Sequence, residues 1–192
     1  MQFEDNLRNL GIDNQQILSL FISGIQEQKI GMESENITGS TWLNAAGHPA
    51  LVRDLFFVDT LLEAACFAHC NQHLLARFDQ LVMAAVGWYP QYPQLQAILR
   101  RYPNARIHSV FPADLTGIIA DCKVALCQRG TVGQFFFFDG KLLFQGLQAA
   151  YEFDAYDFSL NKFQKRLGLA PFVQTHKPKW GHNSFFQVLK KR

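Results

Sequence analysis

Three short apolar runs recur through the middle of the chain: Leu55-Phe56-Phe57-Val58, Leu81-Val82-Met83-Ala84-Ala85-Val86 and Ile107-His108-Ser109-Val110-Phe111. Each is followed by a stretch with helical spacing, and the spacing predicts helices over 61–75, 94–101 and 114–127. A strand that is apolar at consecutive positions has both faces covered. Runs of that kind alternating with helices are the pattern of right-handed βαβ units in a parallel sheet. The segment 51–130 therefore reads as a small α/β core with helices on both faces of the sheet.

The flanks read differently. Over 1–50 the pattern is a helical cap, 2–9 and 13–24, broken at Gly11-Ile12-Asp13, with Asp13 as N-cap and an apolar stripe of Leu18, Phe21, Ile22 and Ile25. A weak strand pair is predicted over 29–43. In the third segment, 131–192, Gln134-Phe135-Phe136-Phe137-Phe138 and Lys141-Leu142-Leu143-Phe144-Gln145 are separated by Asp139-Gly140. Those two loop residues favour a type I′ turn because both accept φ > 0, so an antiparallel hairpin follows. A helix is predicted over 160–167 with Gly168 at its end, and another over 184–191, where Lys190, Lys191 and Arg192 complement the helix dipole. Residues 1–192 make one domain: cap, core, and a hairpin with C-terminal helices. The chain has 18 phenylalanines, and a hairpin that holds four in a row buries one face and leaves the other requiring a partner or a covering helix.

Composition excludes several classes. With 48% hydrophobic against 18% charged residues, the chain has enough apolar material for a core and is not disordered. A formal charge of +2 is too small for a nonspecific coat on duplex DNA, so any nucleic-acid contact depends on a local patch. The start MQFEDNLRNLGID has no signal-type apolar stretch, and no 18 apolar residues run together; a cytoplasmic protein without a membrane span is expected. Cys66, Cys70, Cys122 and Cys127 are expected to be reduced, mostly buried thiols.

Ligands of open parallel sheets gather outside the carboxyl ends of the strands. The residues there are Asp59-Thr60, then Gly87-Trp88-Tyr89, then Pro112-Ala113-Asp114-Leu115-Thr116-Gly117. Asp59 and Asp114 form a candidate catalytic or Mg²⁺-binding pair, and Gly87, Trp88, Tyr89 and Gly117 a candidate cleft. The competing reading is that each Asp caps the helix it precedes. Cys66, His69, Cys70 and His73 share one helical face; two of them at i, i+4 can ligate Zn²⁺, but the outer pair lies about 10 Å apart along the axis, too far for one tetrahedron. Packing of the cysteines against the sheet explains the same spacing. Arg100, Arg101, Lys177, Lys179 and Trp180 mix cations with an aromatic ring in the manner of single-strand binding surfaces, though a solvated surface accounts for the same residues.

The order of these segments resembles the Toprim domain shared by topoisomerases, primases and some nucleases, especially its short form in primase-like and mobilisation proteins of bacterial mobile elements. The matching stretches are Val58-Asp59-Thr60-Leu61-Leu62-Glu63-Ala64-Ala65-Cys66, Val86-Gly87 with Gln91, Gln94 and Gln96 after it, and Phe111-Pro112-Ala113-Asp114-Leu115-Thr116-Gly117. Outside the core, Leu7-Arg8-Asn9-Leu10-Gly11-Ile12 and Lys177-Pro178-Lys179 through Phe185-Phe186-Gln187-Val188-Leu189 match as well. The resemblance implies a glutamate acting as general acid or base and an Asp-x-Asp pair chelating Mg²⁺. Here the glutamate position is Asp59, the first Asp is Pro112, and the terminal Lys-Asp-Phe-Asn is Asn183-Ser184-Phe185-Phe186. A hard-cation site stripped of a carboxylate holds its metal weakly or not at all. The reading is a degenerate Toprim-like protein of replication or mobilisation, binding single-stranded or primed DNA or a partner protein without efficient catalysis. Two alternatives stand beside it. One is a Mg²⁺-dependent phosphotransfer or nuclease enzyme in which Glu63 or Asp121 substitutes for the missing acid; the other is a protein-interaction module.

Overall fold

The computed structural model describes residues 42–43, 48–73, 80–179 and 181–190. The helices expected over 2–9 and 13–24 and most of the strand pair over 29–43 lie outside these residues.

Four strands are parallel: β2 (Asp54–Val58), β3 (Leu81–Ala85), β4 (Arg106–Val110) and β8 (Val173–Thr175), in spatial order β3-β2-β4-β8. The short β1 (Trp42–Leu43) pairs antiparallel to β3 at one edge. In register, Phe57 stands between Ala84 and Ser109, so the three apolar runs lie side by side. Every residue of β3, and all but the first of β2 and of β4, is buried, as strands covered on both faces must be.

The two faces carry separate cores. On one, Phe56, Val58 and Met83 pack with α1 (Leu61–Cys70) and with Phe185 of α5 (Phe185–Lys190). On the other, Leu55, Phe57, Val82 and Ala84 pack with α2 (Tyr92–Arg101) and α3 (Leu115–Gln128). Phe56, Phe57, Phe67 and Phe111 are at most 1% exposed, each contributing about 1.5–3 kcal/mol by removal from water. The parallel α/β core with helices on both faces is as the periodicity predicts.

The hairpin forms with Asp139 at φ 48° and Gly140 at φ 73°, the left-handed pair that a two-residue turn needs. It is larger than the predicted hairpin: β5 (Gly133–Phe138) and β6 (Lys141–Gly146) are joined by β7 (Ala150–Asp154) in a three-stranded antiparallel sheet. Leu142, Phe144 and Phe163 of α4 (Leu160–Leu167) form a third core with Cys122 and Leu126 on the outer side of α3. Gly168 ends α4 in the left-handed conformation at φ 66°.

Two boundaries and one strand differ from expectation. Helix α2 starts at Tyr92 because the Gln94 side chain accepts the Gln91 N–H at 3.3 Å and Pro93 fits the first turn. The described part of α1 ends at Cys70, where Asn71 turns back on Phe67 and Ala68. The strand β8 has one buried residue, Val173, and no apolar run to announce it.

Candidate functional site

Because β2 and β4 are neighbours with Val58 opposite Val110, Asp59, directly after β2, and Asp114, four residues after β4, lie at the same end of the sheet. Asp59 is buried, and burial raises its carboxyl to about 6, with the Asp114 charge adding to the rise. Its Oδ1 accepts the Thr60 N–H at 2.7 Å. The N-cap of α1 is therefore Thr60, whose hydroxyl accepts the Glu63 N–H at 3.1 Å. Asp114 is itself an N-cap: its Oδ1 accepts the Gly117 N–H at 2.9 Å at the start of α3.

Thr60-Leu61-Leu62-Glu63 has the spacing of a capping box, in which the glutamate normally reaches back to the cap's own N–H. Asp59 takes that N–H instead, and Glu63 is released for another task. Its carboxylate accepts the N–H of Phe185 and, at 3.1 Å, that of Phe186, tying α5 to α1. Burial pushes the Glu63 carboxyl up to about 7, against the lowering effect of those two donors.

Asp121 sits on the opposite face of the sheet, 1% exposed, and pairs with Lys177 Nζ at 2.7 Å. The same ammonium donates to the carbonyls of Phe111 and Pro112, both at 2.9 Å. Burial raises the Asp121 carboxyl while Lys177 draws it down. Lys177 thus locks the turn that carries Asp114. Gly117 completes the lock: a Cβ there would stand 2.0 Å from the Pro112 carbonyl oxygen, so no larger residue fits beneath the turn.

These engagements decide how well the corner suits Mg²⁺. A hard divalent ion needs several oxygen ligands converging at about 2.1 Å. Among the described residues no three His, Cys, Asp or Glu side chains converge in that way. Asp59 and Asp114 each spend one oxygen on a backbone N–H, Pro112 has no side-chain donor, and Glu63 and Asp121 face other partners. The residues present do not fit the ion.

Comparison with known protein families, with curated proteins and with solved structures finds no match.

The other predicted residues are distributed more widely than their sequence positions suggest. Arg100 and Arg101 end α2, which runs antiparallel to the strands, so they lie at the opposite end of the sheet from Lys177 and Asp114. Lys177 is already committed to Asp121, Lys179 is exposed, and Trp180 lies outside the described residues. Gly87 takes φ 83° and its N–H donates to the Asp59 carbonyl at 2.9 Å, closing the strand end. Trp88 and Tyr89 are both half exposed, and the Tyr89 ring lies over Lys123, whose Nζ is 3.2 Å from the ring centroid and donates to the Pro90 carbonyl. Burial lowers that ammonium to about 8, and the ring face offsets part of its lost hydration. Tyr92 is spent on the Gly133 N–H at 3.2 Å. Tyr89 thus covers a buried lysine and Tyr92 anchors β5. Cys66 lies in the α1 core with its thiol pushed up by burial, Cys70 is partly buried against the same core, and His73 is exposed.

One cluster escaped the sequence reading. His108 Nε2 lies 3.1 Å from Asp54 Oδ1, and His108 Nδ1 lies 3.0 Å from His176 Nε2, a relay across β2, β4 and the end of β8. Phe56 stacks on His108 at 4.3 Å between centroids, and Phe67 meets His176 edge-on at 5.3 Å. Burial lowers both imidazoles, His176 to about 4. With both rings neutral, each Nε2–H donates along the chain, His176 to His108 and His108 to Asp54. The signal for His108 was a polar residue inside an apolar run; nothing local marks His176 as its partner.

Proposed function

We propose that this chain is a degenerate Toprim-like domain that works by binding nucleic acid or a replication or mobilisation partner of a bacterial mobile element, without efficient phosphoryl transfer. The observation that carries the reading is the use made of the acidic corner. Asp59 and Asp114 stand at neighbouring strand ends, where the resemblance requires them, yet both accept backbone N–H groups at helix starts. A carboxylate that caps a helix stabilises the fold by about 1 kcal/mol and offers a metal one oxygen fewer. The same observation weighs against the enzyme alternative, because its substitutes Glu63 and Asp121 are held by α5 and by Lys177.

Two measurements test the reading. Calorimetric titration with Mg²⁺ and Mn²⁺ is expected to give no site-specific heat; a micromolar site abolished by Asp114→Ala would overturn this reading and favour the enzyme alternative. Anisotropy of labelled single-stranded DNA at low and high salt is expected to report weak binding that falls with salt. No binding even at low salt would favour the protein-interaction module. That second reading has its own support in the separation of Arg100 and Arg101 from Lys177, which breaks up the basic surface.

A further inference from the structure

We infer that the outer edge of β5 is a self-pairing interface through which two copies of this chain join their three-stranded sheets into one of six strands. The antiparallel sheet has the order β5-β6-β7, so β5 is an edge strand, and from Gly133 to Phe138 it carries no charge and no proline. Natural edges are blunted by such residues. Phe136 and Phe138 are 45% and 82% exposed on the face turned away from α3, while Phe137, on the other face, is 62% exposed. Exposed rings on both faces of one strand are not covered by packing against either face. Only a strand laid alongside β5 covers both, and that strand must itself be apolar on both faces, as β5 is.

The backbone phase fits a two-fold axis. The Gly133 N–H points away from β6, since it donates to the Tyr92 hydroxyl, and Phe138 pairs with Lys141 across the two-residue turn. By alternation, Phe135 and Phe137 direct their N–H and C=O groups outward. A second copy running antiparallel with Phe136 opposite its own counterpart sets Phe135 opposite the other copy's Phe137. Those are the residues with outward groups, and the match places like faces on the same side. Such a contact is isologous and closed. On the exposed face of the neighbouring strands, Lys141 and Glu152 pair with each other at 3.6 Å. At about 200 Å² per ring, the three phenylalanines of each copy expose on the order of 700 Å² in total, of which edge pairing covers the part facing the seam. That places the dimer in the small, reversible class.

Sedimentation velocity over about a hundredfold concentration range is expected to show the mass rising from monomer to dimer and stopping there. Phe136→Lys, at an exposed position on the axis, is expected to leave the circular dichroism unchanged and abolish the rise, because two ammonium groups then face each other. Under mild oxidation Phe136→Cys is expected to cross-link two copies, since non-hydrogen-bonded cross-strand pairs bring Cβ atoms close enough for a disulfide. Phe138→Cys, opposite Gln134 in this register, is expected to cross-link at least tenfold more slowly. A chain that stays monomeric throughout, one that grows past dimer into a heterogeneous series, or equal cross-linking of the two cysteine variants would overturn the proposal.

Discussion

Lys177 Nζ lies 2.7 Å from Asp121 Oδ2, and through it the segment after β8 is fastened to the middle of α3 and to the turn that ends in Asp114. Removing one partner of a buried ion pair leaves the other uncompensated, at a cost of about 3–5 kcal/mol. Lys177→Met is therefore expected to lower stability by that amount in urea unfolding. Replacing both members, Lys177→Met with Asp121→Leu, is expected to recover most of the loss. If the double variant were as unstable as the sum of both single ones, the pair would not be what joins these elements.

Gly117 allows α3 to pass under the Pro112 carbonyl, which leaves no room for a methyl group. Gly117→Ala is expected to destabilise by about 1–3 kcal/mol, as overpacking does, despite alanine's better helix propensity. Thermal unfolding checks the sign; a stabilised variant would mean that the turn moves aside freely.

Glu63 is the point at which α5 is held, and Glu63→Gln keeps one acceptor but faces the second N–H with an amide donor. A loss of about 1–3 kcal/mol is expected for the donor left unsatisfied. The carboxyl has its folded value raised from 4.5 to about 7, so between those limits the folded chain binds more protons than the unfolded one. Its contribution is complete at low pH and is lost as pH rises through about 7. The stability gap between the native chain and Glu63→Gln is expected to narrow from pH 4.5 to 7.5; a widening gap would contradict the assigned environment.

His176 carries the opposite sign. Its folded value is lowered from 6.5 to about 4, so the unfolded chain binds the extra proton across that window and acid destabilises the fold. His176→Phe is expected to lose less stability than the native chain between pH 6.5 and 4. In an NMR titration the His176 ring signals are expected to remain those of the neutral form at pH 5.5. Titration near 6.5 would show that the relay with His108 is open to water.

Much of this architecture is legible in the sequence. The runs at Leu55, Leu81 and Ile107 announced buried parallel strands because their periodicity is a local property of consecutive residues. Asp139-Gly140 announced its turn because the constraint is a local φ preference. Tyr151 and Phe153 alternate with Glu152 and Asp154, which is the local signal for β7. For β8 there was almost none, since Val173 alone is buried and the strand forms because β4 offers it a free edge.

The sequence by itself determined which segments are layers and which ends of the strands bear acids. Only the tertiary structure decided what the titratable side chains do: Asp114 caps α3, Glu63 holds α5, Asp121 takes Lys177, and His108 finds His176. Periodicity records how a residue stands to its near neighbours. A buried carboxylate or imidazole is instead satisfied by whichever donor the assembled sheet brings within about 3 Å, and for Glu63, Asp121 and His108 those donors come from distant parts of the chain.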